Sequence, residues 1–186
     1  MGTMLRLIRS AVVGIAKIRG RVRGVGSEFA LACDMRFASR DNAVLGRPEV
    51  GAGVIPGGGG TGRLALLTGR GRALEIILGS DGFDADTAER YGWINRCLPD
   101  AELDGCVDTL ARSIASFDRR PLESAKTLVN QVWLPPLDSL FNGRNTFAAA
   151  LAWPETRERI AALFRCGLQQ EGDPGARLGG GVSCSW

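Results

Sequence analysis

GRVRGVGSEFALACDMRFASRDNAVLGRPEVGAGVIPGGGGTGRL, residues 20–64, holds two glycine-rich stretches, each with a glutamate near it. The first, Gly24-Val25-Gly26-Ser27-Glu28, is a glycine turn feeding a helix. That helix is expected over residues 28–38, with Phe29, Ala32 and Cys33 on one face. The opening amides of a helix have no internal partners and sit at the positive end of its dipole, so such a turn can hold a developing oxyanion. An ordinary strand-to-helix connection carries the same signature. The dinucleotide fingerprint fails here, because Phe29 stands where its third glycine belongs.

Residues 42–46 read as a short strand, and Arg47 to Gly62 as a long loop containing Gly57-Gly58-Gly59-Gly60. Gly57 and Gly62 are spaced as in a P-loop, but Arg63 and Leu64 replace its Lys and Ser/Thr, which rejects a nucleoside triphosphatase. Adjacent glycines do let the backbone approach a ligand or another segment closely. Glu49 follows Pro48 ahead of this run, and Glu28 opens the expected helix. Either glutamate alone reads as a solvated surface side chain. Together with the two turns they suggest a pocket of carboxylates and backbone amides, suited to proton transfer beside a carbonyl.

Outward from this stretch, residues 11–18 (AVVGIAKI) read as a buried strand and residues 20–27 as a turn. Arg19, Arg21 and Arg23 would point to one face of a strand, either solvated or meeting an anionic ligand or partner. Toward the C-terminus the pattern becomes helical. Residues 71–78 form one helix, and Asp84 caps another that ends at Gly92. Residues 93–98 read as a strand. Asp100 caps a helix bearing Leu103, Val107, Leu110, Ala111 and Ile114. Pro121 suits the first turn of a helix whose apolar face holds Leu122, Ala125, Leu128 and Val129, and a last helix runs over 154–168.

Composition narrows the chemistry. Among 186 residues there is no histidine, which excludes Ser-His and Cys-His nucleophiles and imidazole metal sites. Acid/base work near neutral pH then falls to carboxylates, Tyr91, lysines, thiols or the backbone. A net charge of +3 from 23 basic and 20 acidic residues argues against a nucleic-acid partner. Cys33, Cys97, Cys106, Cys166 and Cys184 have neither zinc-ribbon spacing nor an even count, so no metal site and no disulfide framework is expected. The segment Met1 to Arg9 does not read as a signal peptide, and no apolar run approaches the ~18 residues of a membrane span. A cytoplasmic protein without a membrane partner is the expectation.

The run from Gly20 to Leu64 resembles the central signature of the crotonase superfamily, the enoyl-CoA hydratase/isomerase family. That signature is a glycine turn, an E/C-x-A-x-x-C-D helix, a P-E segment, I-P-G and a G-G-T-x-R-L stretch. The likeness continues through RALEIILGSDGFDADTAERYGWINRCLPDAELD and covers most of residues 11–130. It implies an α/β fold, a crotonase-like spiral of ββα units present in part, followed by a C-terminal helical region that assembles homo-trimers or hexamers. It also implies an N-terminally truncated chain: a partial core over 1–130, helices over 131–171 and a disordered tail over 172–186.

The resemblance further implies an acyl-CoA thioester as ligand, with coenzyme A as part of the substrate and no separate cofactor. By position the Val25 amide is one oxyanion donor, at a place where the family typically has glycine. Gly24, Gly26 and Gly57 would border the substrate. Glu28 and Glu49 match the two catalytic glutamates of the hydratases: Glu49 exchanging the α proton, Glu28 activating water at the β carbon. Retention of both acids tilts the reading toward hydration. The alternatives are an isomerase or related lyase using Glu49 alone, and an inactive remnant serving as an interaction subunit.

Overall fold

The computed structural model describes residues 2–165. After helix α1 (Gly2–Arg9), strands β1 (Ile15–Ile18) and β2 (Arg21–Arg23) lead into helix α2 (Val25–Ala32), which is followed by β3 (Met35–Ser39) and β4 (Val44–Gly46). β1 pairs with β3 in parallel, Ile15 opposite Met35, and β2 pairs with β4 in parallel, Arg21 opposite Val44. Each ββ unit thus gives its first strand to one sheet and its second to another. That geometry generates a spiral rather than a single flat sheet.

Helices α3 (Gly60–Thr68) and α4 (Arg70–Gly79) come next, then β5 (Gly82–Asp84), α5 (Ala85–Arg90) and β6 (Arg96–Leu98). β6 extends the first sheet to the order β1-β3-β6, and β5 closes the second, β2-β4-β5, by antiparallel pairing with β4. The main core lies between the sheets and helices and includes Leu31, Leu45, Leu64, Ile76 and Trp93. Four further helices follow: α6 (Asp100–Ala115), α7 (Arg119–Trp133), α8 (Leu137–Ala150) and α9 (Pro154–Arg165). No helix among the described residues is long and apolar enough to cross a membrane.

Several local expectations shift. The helix expected over 28–38 is two elements: α2 begins earlier, at Val25, and residues 35–39 are a strand. The break is made at Asp34, whose carboxylate accepts from the Gly14 amide at 2.7 Å and the Lys126 ammonium at 2.7 Å. Cys33 caps the helix in an extended conformation, and β3 then buries Phe37 and Ala38. Residues 21–23, expected as part of a turn, pair as β2 because Val22 packs inward against the core. Arg19 falls outside β2 and binds Asp100 and Asp104 of α6, at 3.1 and 2.9 Å, so the basic run does not share one face.

Asp84 caps α5 as expected, accepting from the Thr87 amide at 2.7 Å, and Gly92 takes the positive φ of 77° that stops the chain turning further. Asp100 lies in the first turn of α6, and Pro99 occupies the cap. Of the expected strand over 11–18, only Ile15–Ile18 pairs, and that over 93–98 shortens to Arg96–Leu98. The tail expected to be disordered, 172–186, lies outside the described residues.

Candidate active site

Helix α2 starts where the first glycine turn predicts a dipole end. Gly24 is its cap, with φ 53° and ψ −127°, and the Glu28 amide makes the first helical bond, to the Gly24 carbonyl at 3.1 Å. The amides of Val25 and Gly26 therefore fall among the donors that a helix leaves without internal partners. Positive φ falls on Gly24 and not on Val25, so valine sits at the helix start without backbone strain. Its side chain is 76% exposed.

Glu28, one helical turn further on, is buried at 3% exposure. Its Oε1 accepts from the Gly58 amide at 3.2 Å and meets Arg47 Nη2 at 2.6 Å. The same Arg47 nitrogen lies 3.4 Å from Glu49 Oε1. Two carboxylates distant in sequence thus converge on one guanidinium that is wholly buried. Glu28 Oε2 and Glu49 Oε2 are buried without a protein hydrogen-bond partner, as are Arg47 Nε and Nη1. Burial pushes the Glu49 carboxyl above the ordinary carboxylate range, and the nearby Glu28 adds to this, while Arg47 and the Glu49 amide pull it back.

The glycine run closes around this cluster. A Cβ on Gly58 would fall 2.8 Å from the Glu28 carboxyl carbon, and one on Gly60 would fall 2.5 Å from Arg47 Nη2. Only glycine admits the acid and the guanidinium this close to the chain. Gly57 and Gly59 face the other way: a Cβ there would strike Phe147 and Leu140 of α8. Arg63, the next buried cation, donates to the Gly58 carbonyl at 3.3 Å, and burial lowers its pKa. Thr156 of α9 donates its hydroxyl to the Gly53 carbonyl at 2.6 Å, pinning the loop between Glu49 and the glycines.

The structure brings Glu28, Glu49 and the start of α2 into one region, and sets Gly57 against α8. Arg47 and Arg63 were not singled out from the sequence. No signal in residue order marks them, because a cation in a glycine-rich stretch ordinarily stands in water. A separate cavity of about 460 Å³ lies under α7, lined by residues that include Leu31, Met35, Ile114, Val129 and Trp133; Glu28 and Glu49 do not border it. Among the described residues, no group of three or more His, Cys, Asp or Glu could hold a metal ion.

The chain is 34% identical over 151 residues to the crotonyl-CoA hydratase of Syntrophomonas wolfei, covering 81% of this chain and 58% of that protein. It is 38% identical over 117 residues to the short-chain-enoyl-CoA hydratase of Clostridium acetobutylicum, covering 63% and 44%. A crystal structure from Streptomyces avermitilis, provisionally assigned as an enoyl-CoA hydratase, superposes with a TM-score of 0.92 at 48% identity, covering 95% of this chain and 63% of that one. A Thermobifida fusca relative solved in complex with acetoacetyl-CoA superposes at 0.67 with 32% identity, covering 80% and 58%. The chain spans about half the length of the curated relatives it matches. With the enoyl-CoA hydratase/isomerase family profile matching residues 2–148, and with these likenesses in sequence and fold, the chain belongs to the enoyl-CoA hydratase/isomerase family.

Proposed function

We propose that this chain carries the acid/base pair of a site that reversibly adds water to a 2-enoyl-CoA thioester. The observation that carries the reading is the convergence of Glu28 and Glu49 on one buried guanidinium beside the start of α2. In the direction of hydration, water adds its oxygen to the β carbon and a proton enters at the α carbon. Glu49, whose pKa burial raises, holds and releases that α proton. Glu28 orients the attacking water and takes its proton. The Val25 amide, with Gly24 and Gly26 shaping the turn, donates to the enolate oxygen that develops on the thioester carbonyl. The acetoacetyl-CoA bound by the Thermobifida fusca relative supports a coenzyme A thioester as the ligand class. No cofactor takes part, coenzyme A arriving with the substrate. A homo-trimer or hexamer, working in the cytoplasm, belongs to the same reading.

A second reading is favoured by one detail. Glu28 Oε1 is engaged by both Arg47 and Gly58, whereas the Glu49 contact to Arg47 is longer. An isomerase would need Glu49 alone to carry the proton. The experiment is turnover of crotonyl-CoA and of a 3-enoyl-CoA by the purified chain, with binding followed by calorimetry. Glu49→Gln should lower either activity by about 10²–10⁴-fold. Glu28→Gln should abolish hydration under the first reading and spare isomerisation under the second. Folded protein that binds no acyl-CoA would sink both.

A further inference from the structure

Arg47 reaches the proposed acid pair in a way that a structural ion pair does not require. One of its nitrogens touches both carboxylates, at 2.6 and 3.4 Å, and the side chain is wholly buried. The backbone at Gly60 has no side chain where the guanidinium passes. Two carboxylates near one another in a dry site disfavour each other's ionised forms, and a shared cation relieves this.

We propose that Arg47 is a positioning residue for the proton transfer: its guanidinium fixes the Glu28 carboxylate and aims that of Glu49 at the bound thioester. The proposal rests on the acid/base reading of Glu28 and Glu49. The charged groups around Glu49 are Arg47 on its own loop and Glu28 from α2; Arg63 from α3 acts on Glu28 and Arg47, and Arg159 of α9 packs against Gly53. Arg47 is the cation that lowers the Glu49 titration against its burial. Removing it should therefore move that titration upward, widening the pH range over which Glu49 keeps its proton.

The test uses the full chain with ¹³C-labelled glutamate side chains, the Glu49 signal being assigned by its loss in Glu49→Gln. In Arg47→Gln the Glu49 midpoint moves upward, kcat for crotonyl-CoA falls about 100-fold as expected for a misplaced catalytic group, and KM changes little. Arg47→Lys keeps the charge but is shorter than arginine and lacks its rigid plane, so its midpoint stays near that of the parent while kcat remains depressed. Gly60→Ala, which pushes on the guanidinium, repeats the kcat loss with Arg47 in place. An unmoved Glu49 midpoint in folded Arg47→Gln overturns the proposal. If Arg47→Gln does not fold, full kcat in Arg47→Lys overturns it instead. A parent chain that turns over no enoyl-CoA defeats the acid/base reading and this proposal with it, whereas a parent that turns over substrate and a Glu49 midpoint that stays put in Arg47→Gln defeat the Arg47 proposal alone.

Discussion

The loop around Glu49 and the helix α7 are built on opposite terms. In the loop, backbone glycines press against Glu28, Arg47, Phe147 and Leu140, and charged groups are held where water does not reach. Helix α7 has an apolar face and buries none of its residues; Leu128, Val129 and Val132 are exposed. Its ties to the body include polar ones: Lys126 to Asp34 and to the Val12 carbonyl, and Asn130 to the Ile8 carbonyl. Close packing demands specific residues at specific positions. An apolar helix face demands only a period, and the period does not say what lies against it.

Three substitutions bear on this contrast. Leu64→Ala, in the core directly after the glycine run, should cost about 2–5 kcal/mol in urea unfolding, because Leu64 is fully buried and its site cannot collapse freely. Gly59→Ala should cost about 1–3 kcal/mol, since the added Cβ would lie 2.6 Å from a Leu140 methyl in a backbone with φ 88°. A neutral result there would show that α8 is not clamped on the loop in solution, and the contrast would break. Val132→Ser, on the face of α7, should change stability by less than about 0.5 kcal/mol. A larger loss, accompanied by a fall in sedimentation coefficient, would sharpen the contrast by showing that this face is covered in solution.

How much of this was legible beforehand follows the same division. The glycine turn and the α5 cap could be read from residue order, because each depends on backbone chemistry within a few positions; Glu28 and Glu49 stood out only by their place beside the glycine stretches and by the family resemblance. The α2–β3 break was not legible. It depends on Asp34 meeting Gly14 and Lys126, partners far away in sequence, and a helical apolar period runs straight through it. Helix α3, hidden behind the glycine run, was missed as well, and α8, the other wall of the glycine loop, was expected only within a helical region over 131–171 and not as an element of its own. Within the candidate site the acids were visible and the cation that joins them was not. Whether an arginine is solvated or buried between two carboxylates is decided by tertiary packing, and sequence order is silent on it.

The bond from Thr156 to the Gly53 carbonyl spans 103 residues. Contacts of such separation close late, after local helices and neighbouring strands have formed, because a long loop must be ordered before any gain is returned. Synthesis runs from the N-terminus. Both glutamates and the arginine between them are therefore made well before the helix that pins their loop, and the nascent chain holds these three residues with that loop unpinned until residue 156 has been added. The loop that carries Glu49 thus depends on a helix that supplies neither of the two acids.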